Sequence, residues 1–93
     1  MKKKTYIIDG KEVIPEEDTL LCDVRPDPAF SVTETYTQLY TTENGMFYVL
    51  ECTLKKKSAF PLSLTEAFVF LRNYAAYILT DNYRAVFGEP ERG

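Results

Sequence analysis

The feature of this sequence that most restricts its fold is a β-hairpin pattern in the middle of the chain. Two runs rich in Thr, Tyr, Val and Leu, at 32–42 and 46–55, flank a Glu-Asn-Gly sequence at 43–45. Asn-Gly is a preferred pair for a two-residue turn between antiparallel strands, because both turn positions take positive φ angles. With Asn-Gly as the turn, Glu43 pairs with Met46 and the rest of the register follows. The pattern therefore predicts a long antiparallel hairpin.

This register divides the side chains of the hairpin between two faces. The predicted core face carries the larger apolar set with three threonines opposite: Leu39, Met46, Tyr48, Leu50, Cys52 and Leu54, with Thr35, Thr37 and Thr41. The predicted second face carries Tyr36, Tyr40, Phe47 and Val49, and it also places Gln38 opposite Glu51 and Glu34 opposite Lys55. Opposite charges that face each other across two strands stabilise a hairpin by a few tenths of a kcal/mol to about 1 kcal/mol.

Shorter strands are predicted before this hairpin. Residues 5–8 and 11–14 flank Asp9-Gly10, a second turn signal, and Pro15 ends the second of these strands because it cannot donate to a ladder. A third strand is predicted at 19–24, with Leu20, Cys22 and Val24 on its apolar side. Residues 25–28, Arg-Pro-Asp-Pro, are predicted to form a stiff loop.

The last third of the chain has a helical pattern. Ser63-Leu64-Thr65-Glu66 matches the capping box, in which the serine and the glutamate side chains each bond a free backbone N–H at the helix start. A wide apolar arc at helical spacing follows, made of Leu64, Ala67, Phe68, Leu71, Tyr74, Ala75, Ile78 and Leu79. Residues 80–82 either begin a second short helix over 83–87 or lie inside one long helix, which Gly88 and Pro90 end.

Strands first and a helix last predict an α+β fold. We expect a small antiparallel sheet of hairpins, with four or five strands, and a C-terminal helix packed on one face, with a break near Thr80 as an open alternative. The 93 residues make a single domain, and the ends 1–4 and 89–93 are expected to fray.

The composition leaves little chemistry for catalysis. The chain has no histidine, which removes the usual general base and the commonest zinc ligand. Its four glycines are isolated, so no phosphate-binding loop is present, and Cys22 and Cys52 are expected to be small buried residues on their strands. We therefore predict a protein that is not an enzyme and that has no cofactor and no metal.

Acidic residues are concentrated in the first half of the chain. Nine acids and two bases lie between Asp9 and Glu43, and the formal net charge is −3. Candidate contact residues in this acidic segment are Glu16, Glu17, Asp18, Asp23 and Asp27. The balance disfavours nucleic acid as a partner, because binding phosphates needs clustered Lys and Arg. No signal-peptide pattern or spanning apolar run is found, and we expect a cytoplasmic location.

These observations predict a small protein-binding module. Two candidate partner-binding surfaces are the face of Tyr36, Tyr40, Phe47 and Val49 and the acidic segment; the aromatic face has the alternative of being a second core under the N-terminal hairpin or under 19–30. The sharpest form is an acidic inhibitor that occludes a basic surface of a nucleic-acid enzyme, as phage or mobile-element anti-defence proteins such as anti-CRISPR proteins do. The alternatives are a self-associating protein, such as a homodimer, and a single-strand binder that stacks bases on the aromatic face.

Overall fold

The computed structural model describes residues 3–25 and 35–88. The predicted α+β class is confirmed, with strands first and helices last. The elements are β1 (Tyr6–Ile8), β2 (Lys11–Val13), β3 (Thr19–Val24), β4 (Tyr36–Thr41), β5 (Phe47–Cys52), β6 (Lys57–Leu62), α1 (Leu64–Asn73), a 3₁₀ turn (Ala75–Tyr77) and α2 (Thr80–Phe87). The predicted loop beyond Arg25, the pairing of Glu34 and the C-terminal end 89–93 lie outside the described residues.

The strands form two antiparallel sheets. The main sheet has the order β3-β4-β5-β6, and β1 and β2 pair with each other as a separate hairpin. The turn of this N-terminal hairpin is the predicted one, because Asp9 and Gly10 both have positive φ angles, 51° and 75°. The strand before Pro15 ends at Val13, and β3 has the predicted bounds.

The central hairpin forms, but its predicted register is wrong by one residue. The Thr42 N–H donates to the Met46 carbonyl at 2.9 Å, and the Gly45 N–H donates to the Thr42 carbonyl at 3.0 Å, so the turn contains three residues and not two. Gly45 takes the left-handed conformation with φ 84°. This is the three-residue hairpin loop, in which a type I turn is followed by a glycine with positive φ.

The one-residue shift changes which side chains share a face, because alternate residues of a strand point to opposite sides. Leu39 lies opposite Val49, and Tyr40 lies opposite Tyr48. Gln38 lies opposite Leu50, and Glu51 is opposite Thr37, so the predicted Gln38–Glu51 pair is wrong. Lys55 lies beyond the end of β5 and takes no part in the β4–β5 ladder.

Each face of the main sheet is covered by a different part of the chain. The helices cover one face, where the buried cluster is Leu21, Cys22, Leu39, Phe47, Val49, Ala67 and Leu71. The N-terminal hairpin covers the other, where the buried cluster is Ile8, Val13, Tyr40, Tyr48 and Leu50. The domain therefore has three layers with two small cores around a single four-stranded sheet.

The strand β6 was not predicted. It pairs antiparallel with β5, with Pro61 opposite Tyr48 and Lys57 opposite Cys52. Its sequence, Lys-Ser-Ala-Phe-Pro-Leu, has no apolar alternation and contains a proline. Proline is tolerated in a strand at the edge of a sheet, where an N–H that points outward is not needed by the ladder.

The helical region begins as predicted and breaks earlier than predicted. The Ser63 hydroxyl accepts from the Glu66 N–H at 3.1 Å, and the Glu66 carboxylate accepts from the Ser63 N–H at 3.0 Å, which confirms the capping box. The continuous arc to Leu79 is wrong, because α1 ends at Asn73 and Tyr74 leaves the helical conformation with ψ 38°. The second helix starts at Thr80 and ends at Phe87, and its C-cap residue is Gly88, whose φ is 80°.

The residues that follow the break between α1 and α2 bond to the strand β3. After the 3₁₀ turn, Ile78 forms a β-bridge with Cys22, and the Leu79 N–H donates to the Leu21 carbonyl at 2.9 Å. The Asn82 side-chain amide donates to the Leu20 carbonyl at 2.8 Å. The chain therefore leaves the α-helical conformation after Asn73, and the Leu79 N–H and the Asn82 side chain bond to the outer edge of β3.

Replacement of Ser63 by Ala tests the capping box. The change removes the acceptor for the Glu66 N–H, and we expect the free energy of unfolding to fall by about 0.5–2 kcal/mol in chemical denaturation. Thr65→Ala is the matched control, because Thr65 is exposed inside α1 and makes no cap bond; it should leave stability unchanged or slightly higher. Equal loss in both variants would contradict the assignment.

Candidate interaction surfaces

The four residues predicted as an aromatic contact face do not form one. Phe47 and Val49 lie on the helix side of the sheet, whereas Tyr40 lies on the hairpin side. Tyr40, Phe47 and Val49 are buried, with 7–8% of their surface exposed. The predicted face depended on a two-residue turn, and the three-residue turn separates its members. For Tyr40, the alternative of a second core under the N-terminal hairpin is the correct one.

Tyr40 belongs to a polar network inside the hairpin-side core. Its ring stacks on that of Tyr48, with centroids 5.3 Å apart and planes 12° apart. The Tyr40 hydroxyl donates to Gln38 Oε1 at 2.9 Å, and Gln38 Nε2 donates to Asp23 Oδ1 at 3.2 Å. Burial raises the pKa of Tyr40 above its usual value. Because the rings of Tyr40 and Phe47 are covered, they offer no surface for stacking of bases.

Tyr48 joins the sheet to the exit of the N-terminal hairpin. Its side chain is fully buried, and its hydroxyl donates to Asp18 Oδ2 at 2.6 Å. The same carboxylate oxygen accepts the Ile14 N–H at 3.2 Å. Burial, and then the hydrogen bond to Asp18, raise the pKa of Tyr48 well above its usual range. Asp18 therefore links β5 to the end of the N-terminal hairpin through these two bonds.

The predicted acidic contact residues divide into exposed and structural members. Glu16 and Glu17 are exposed, and Glu17 forms a surface ion pair with Lys3 at 3.0 Å. Asp18 and Asp23 are half-buried; Asp23 accepts from Arg25 Nε as well as from Gln38. Asp27 lies outside the described residues. Among the described residues, four of the eight exposed acidic side chains thus lie on the N-terminal hairpin and its exit.

Tyr36 lies at an open cleft where β3, β4 and β5 meet the 3₁₀ turn. The Arg25 guanidinium lies over the Tyr36 ring, 4.6 Å from its centroid, and Tyr74 and Tyr77 form the helical wall. The volume of the cleft is about 470 Å³. On its other side the Tyr36 hydroxyl raises the pKa of Lys57, by electrostatic interaction and by a hydrogen bond. The Arg25 guanidinium is bonded to Asp23 and packed on the Tyr36 ring, so the polar group at this cleft is engaged in contacts within the domain.

The two cysteines are buried on different strands of the main sheet. Cys22 is in the helix-side cluster, where its thiol donates to the Tyr74 carbonyl at 3.5 Å. Burial raises the pKa of Cys22 to about 11, which leaves the thiol protonated and a poor nucleophile at neutral pH. Cys52 lies opposite Tyr36 on β5, and β4 separates it from the strand of Cys22. Both are free and buried, so they behave as small apolar residues.

The helical layer leaves much apolar surface uncovered. In α1 only Ala67 and Leu71 are buried, and in α2 no residue is buried. Seven large apolar side chains of this layer are exposed by 38–54%, and we call them the helix patch: Leu64, Phe68, Val69, Tyr74, Tyr77, Leu79 and Val86. The sequence arc assigned four of them to the core, because a single helix would have placed them on one buried side.

Charge is distributed unequally between the two outer layers. The helical layer, 64–88, carries Glu66 and Asp81 against Arg72 and Arg84, a net charge of zero. Residues 3–18 of the hairpin layer carry five acids against three lysines, a net charge of −2. One outer layer is therefore neutral and apolar, and the other is acidic.

Comparison with known proteins finds no matching family model, no matching curated protein and no matching solved structure. Within the described residues, no group of three or more Cys, Asp or Glu side chains is arranged to hold a metal ion. No helix in the same part of the chain is both long enough and apolar enough to cross a membrane.

Two tyrosine-to-phenylalanine variants test the buried hydroxyls. Tyr48→Phe removes a bond to a carboxylate and should lower the free energy of unfolding by about 1.5–3 kcal/mol. Tyr40→Phe removes a bond to a neutral amide and should cost about 0.5–1.5 kcal/mol. Chemical denaturation at neutral pH measures both. A Tyr48 variant no less stable than the Tyr40 variant would contradict a structural role for the Asp18 contact.

Proposed function

We propose that this chain is a non-catalytic protein-binding module that contacts its partner through the helix patch. The observation that carries the proposal is the exposure of seven large apolar side chains on one layer of a 93-residue chain. A concentration of exposed apolar side chains on one layer of a small domain is typical of protein interfaces. Tyrosine residues also give a large contact area for little loss of conformational entropy.

The charge and the chemistry of the helix patch support a protein partner. Its layer has no net charge, whereas a surface that binds nucleic acid needs an excess of Lys and Arg. Tyr74 and Tyr77 have hydroxyls beside their apolar rings, a combination common at protein interfaces. The two free thiols are also typical of a reducing compartment, which favours a cytoplasmic location.

A charge placed inside the helix patch tests this proposal. Val69→Glu puts a carboxylate at an exposed position in the middle of α1, where glutamate suits a helix. We expect it to abolish capture of the partner that the tagged wild-type chain retains from cells. With that partner purified, the Kd should rise at least about tenfold, equivalent to about 1.4 kcal/mol.

The matched control is Ile7→Glu, which places the same charge on another exposed apolar residue. Ile7 lies in β1, on the opposite side of the main sheet from the helices, and is 69% exposed. It should leave the Kd within about twofold, and both variants should keep their thermal stability because exposed positions tolerate such changes. Equal binding by the two variants would contradict the helix patch as the contact surface.

A second candidate function is the acidic inhibitor of a nucleic-acid enzyme. The observation that favours it is the row of exposed acids on the N-terminal hairpin and its exit, Asp9, Glu12, Glu16 and Glu17. Carboxylates on such a surface occupy a basic groove in the place of phosphates and raise the association rate. In this form the acidic layer, on the side of the sheet away from the helix patch, makes the contact.

Charge neutralisation separates the two candidates. In inhibition assays with DNA- and RNA-cleaving enzymes of phage-defence type, Glu12→Gln with Glu16→Gln should weaken inhibition, and raising the salt concentration should weaken it further. Glu43→Gln with Asp81→Asn removes the same number of charges elsewhere and is the control. Inhibition that changes neither with salt concentration nor in the Glu12→Gln, Glu16→Gln variant would contradict charge mimicry. The helix patch would then be the remaining candidate contact surface.

A further inference from the structure

The two edge strands of the main sheet, β3 and β6, differ in whether other backbone or side-chain groups bond to their outer side. The outer edge of β3 is covered, because Leu79 N–H and the Asn82 amide donate to the carbonyls of Leu21 and Leu20, and Ile78 bridges to Cys22. On β6, the strand β1 packs close by without pairing, and no strand of the described residues pairs with the outer side. An open edge strand is a template for a further strand.

The pairing pattern shows which backbone groups of β6 point outward. Thr53 N–H donates to the Lys56 carbonyl at 2.9 Å, and hydrogen-bonded pairs alternate along an antiparallel ladder. The pairs Glu51–Ser58 and Val49–Phe60 are therefore bonded, and Lys57, Ala59 and Pro61 turn their backbone groups away from β5. Pro61, which has no N–H, falls on an outward position, in agreement with this alternation.

We propose that a second copy of this chain pairs with β6, antiparallel, with Ala59 opposite Ala59 of the other copy. This dimer goes beyond the proposed function, because it uses a sheet edge and not the helix patch. In this register Ala59 N–H donates to the Ala59 carbonyl of the other copy, and Lys57 N–H donates to the Pro61 carbonyl. Each copy has two outward N–H groups on β6, and both find an acceptor.

Repulsion between the two Lys57 side chains favours the register centred on Ala59 over the register centred on Ser58. With Ala59 at the centre, Lys57 faces Pro61 of the other copy. The two Lys57 residues then lie four positions apart along the strands, about 14 Å at about 3.4 Å per residue. A register centred on Ser58 also satisfies the N–H groups, but it brings the two Lys57 residues to diagonal positions about 7–8 Å apart. Like charges at that distance disfavour it.

Side chains on the helix side support the same pairing. Phe60 lies on the face of Val49 and is 48% exposed. In the Ala59-centred register the two Phe60 rings are diagonal neighbours, which is within reach for aromatic side chains. Their exposed rings would then cover each other beside Ser58. The backbone and the side chains of β6 are therefore both complementary to β6 of a second copy.

The covered edge of β3 limits the assembly to two copies. Pairing through β6 of both chains is isologous, so it uses up the same edge on each copy. The opposite edge of the resulting eight-stranded sheet is β3, whose Leu20 and Leu21 carbonyls are already bonded. Growth into a filament is therefore blocked.

Amide hydrogen exchange in the wild-type chain tests the proposal without any substitution. The amides of Lys57 and Ala59 should become protected as the concentration rises from about 1 µM to about 1 mM, the range of a weak dimer, while sedimentation shows a change from monomer to dimer. The inward amides of Ser58 and Phe60 should be protected at every concentration. A strict monomer at the highest concentration would overturn the proposal.

Two substitutions that involve proline change the number of outward N–H donors on β6 in opposite directions. Ala59→Pro removes the central donor and leaves the bonds to β5 intact, and we expect the dimer dissociation constant to rise at least about tenfold. Pro61→Ala adds a third outward N–H opposite the Lys57 carbonyl and should lower that constant. If Ala59→Pro fails to fold, Pro61→Ala alone decides, since an unchanged constant contradicts pairing through β6.

The outcome is independent of the proposed partner. Val69→Glu, which should abolish partner binding, should leave the dimer dissociation constant unchanged. A dimer that Val69→Glu disrupts, with Lys57 and Ala59 amides unprotected, would place self-association on the helix patch and overturn pairing through β6. If Val69→Glu still dimerises and the wild-type chain captures no partner, the proposed function is wrong. Pairing through β6 is then supported independently of it.

Discussion

The left-handed backbone at Gly45 determines which side of the sheet each residue of the central hairpin faces. A glycine takes φ 84° without the clash that a Cβ brings, so the Thr42–Met46 loop closes with three residues. That loop pairs Leu39 with Val49 and Tyr40 with Tyr48. The first pair lies under the helices, and the second lies under the N-terminal hairpin. Both cores of the domain depend on this register.

The bond between Tyr48 and Asp18 then fixes the N-terminal hairpin on the sheet. The hairpin is small, with three residues in each strand, and its own ladder offers little stability. Ile8 and Val13 bury apolar surface against Tyr40, Tyr48 and Leu50, and the Asp18 carboxylate joins the end of the hairpin to the deepest of these side chains. A charged acceptor strengthens this bond relative to a neutral one.

Local signals in the sequence predicted most elements, and long-range contacts decided the rest. Asp9-Gly10, the bounds of β3 and the Ser63 capping box are determined by neighbouring residues and were predicted correctly. The register at Gly45 was wrong because Asn-Gly suits two loops of different length. The break at Tyr74 depends on the bond from Leu79 to Leu21, far away in the chain, and β6 forms only because β5 offers it a ladder.

The same limit applies to the candidate sites. The sequence placed one of two candidate contact surfaces on Tyr36, Tyr40, Phe47 and Val49. The last three of these residues are core. The surfaces that remain open are those for which this short chain supplies no cover: the outer side of two short helices and, among the described residues, the edge of β6. Covering β3 with residues 78–82 ends α1 early and leaves Tyr74, Tyr77 and Leu79 half in solvent. The closed edge and the exposure of Tyr74, Tyr77 and Leu79 therefore have one cause, and the partner that we propose for the helix patch would bury these side chains.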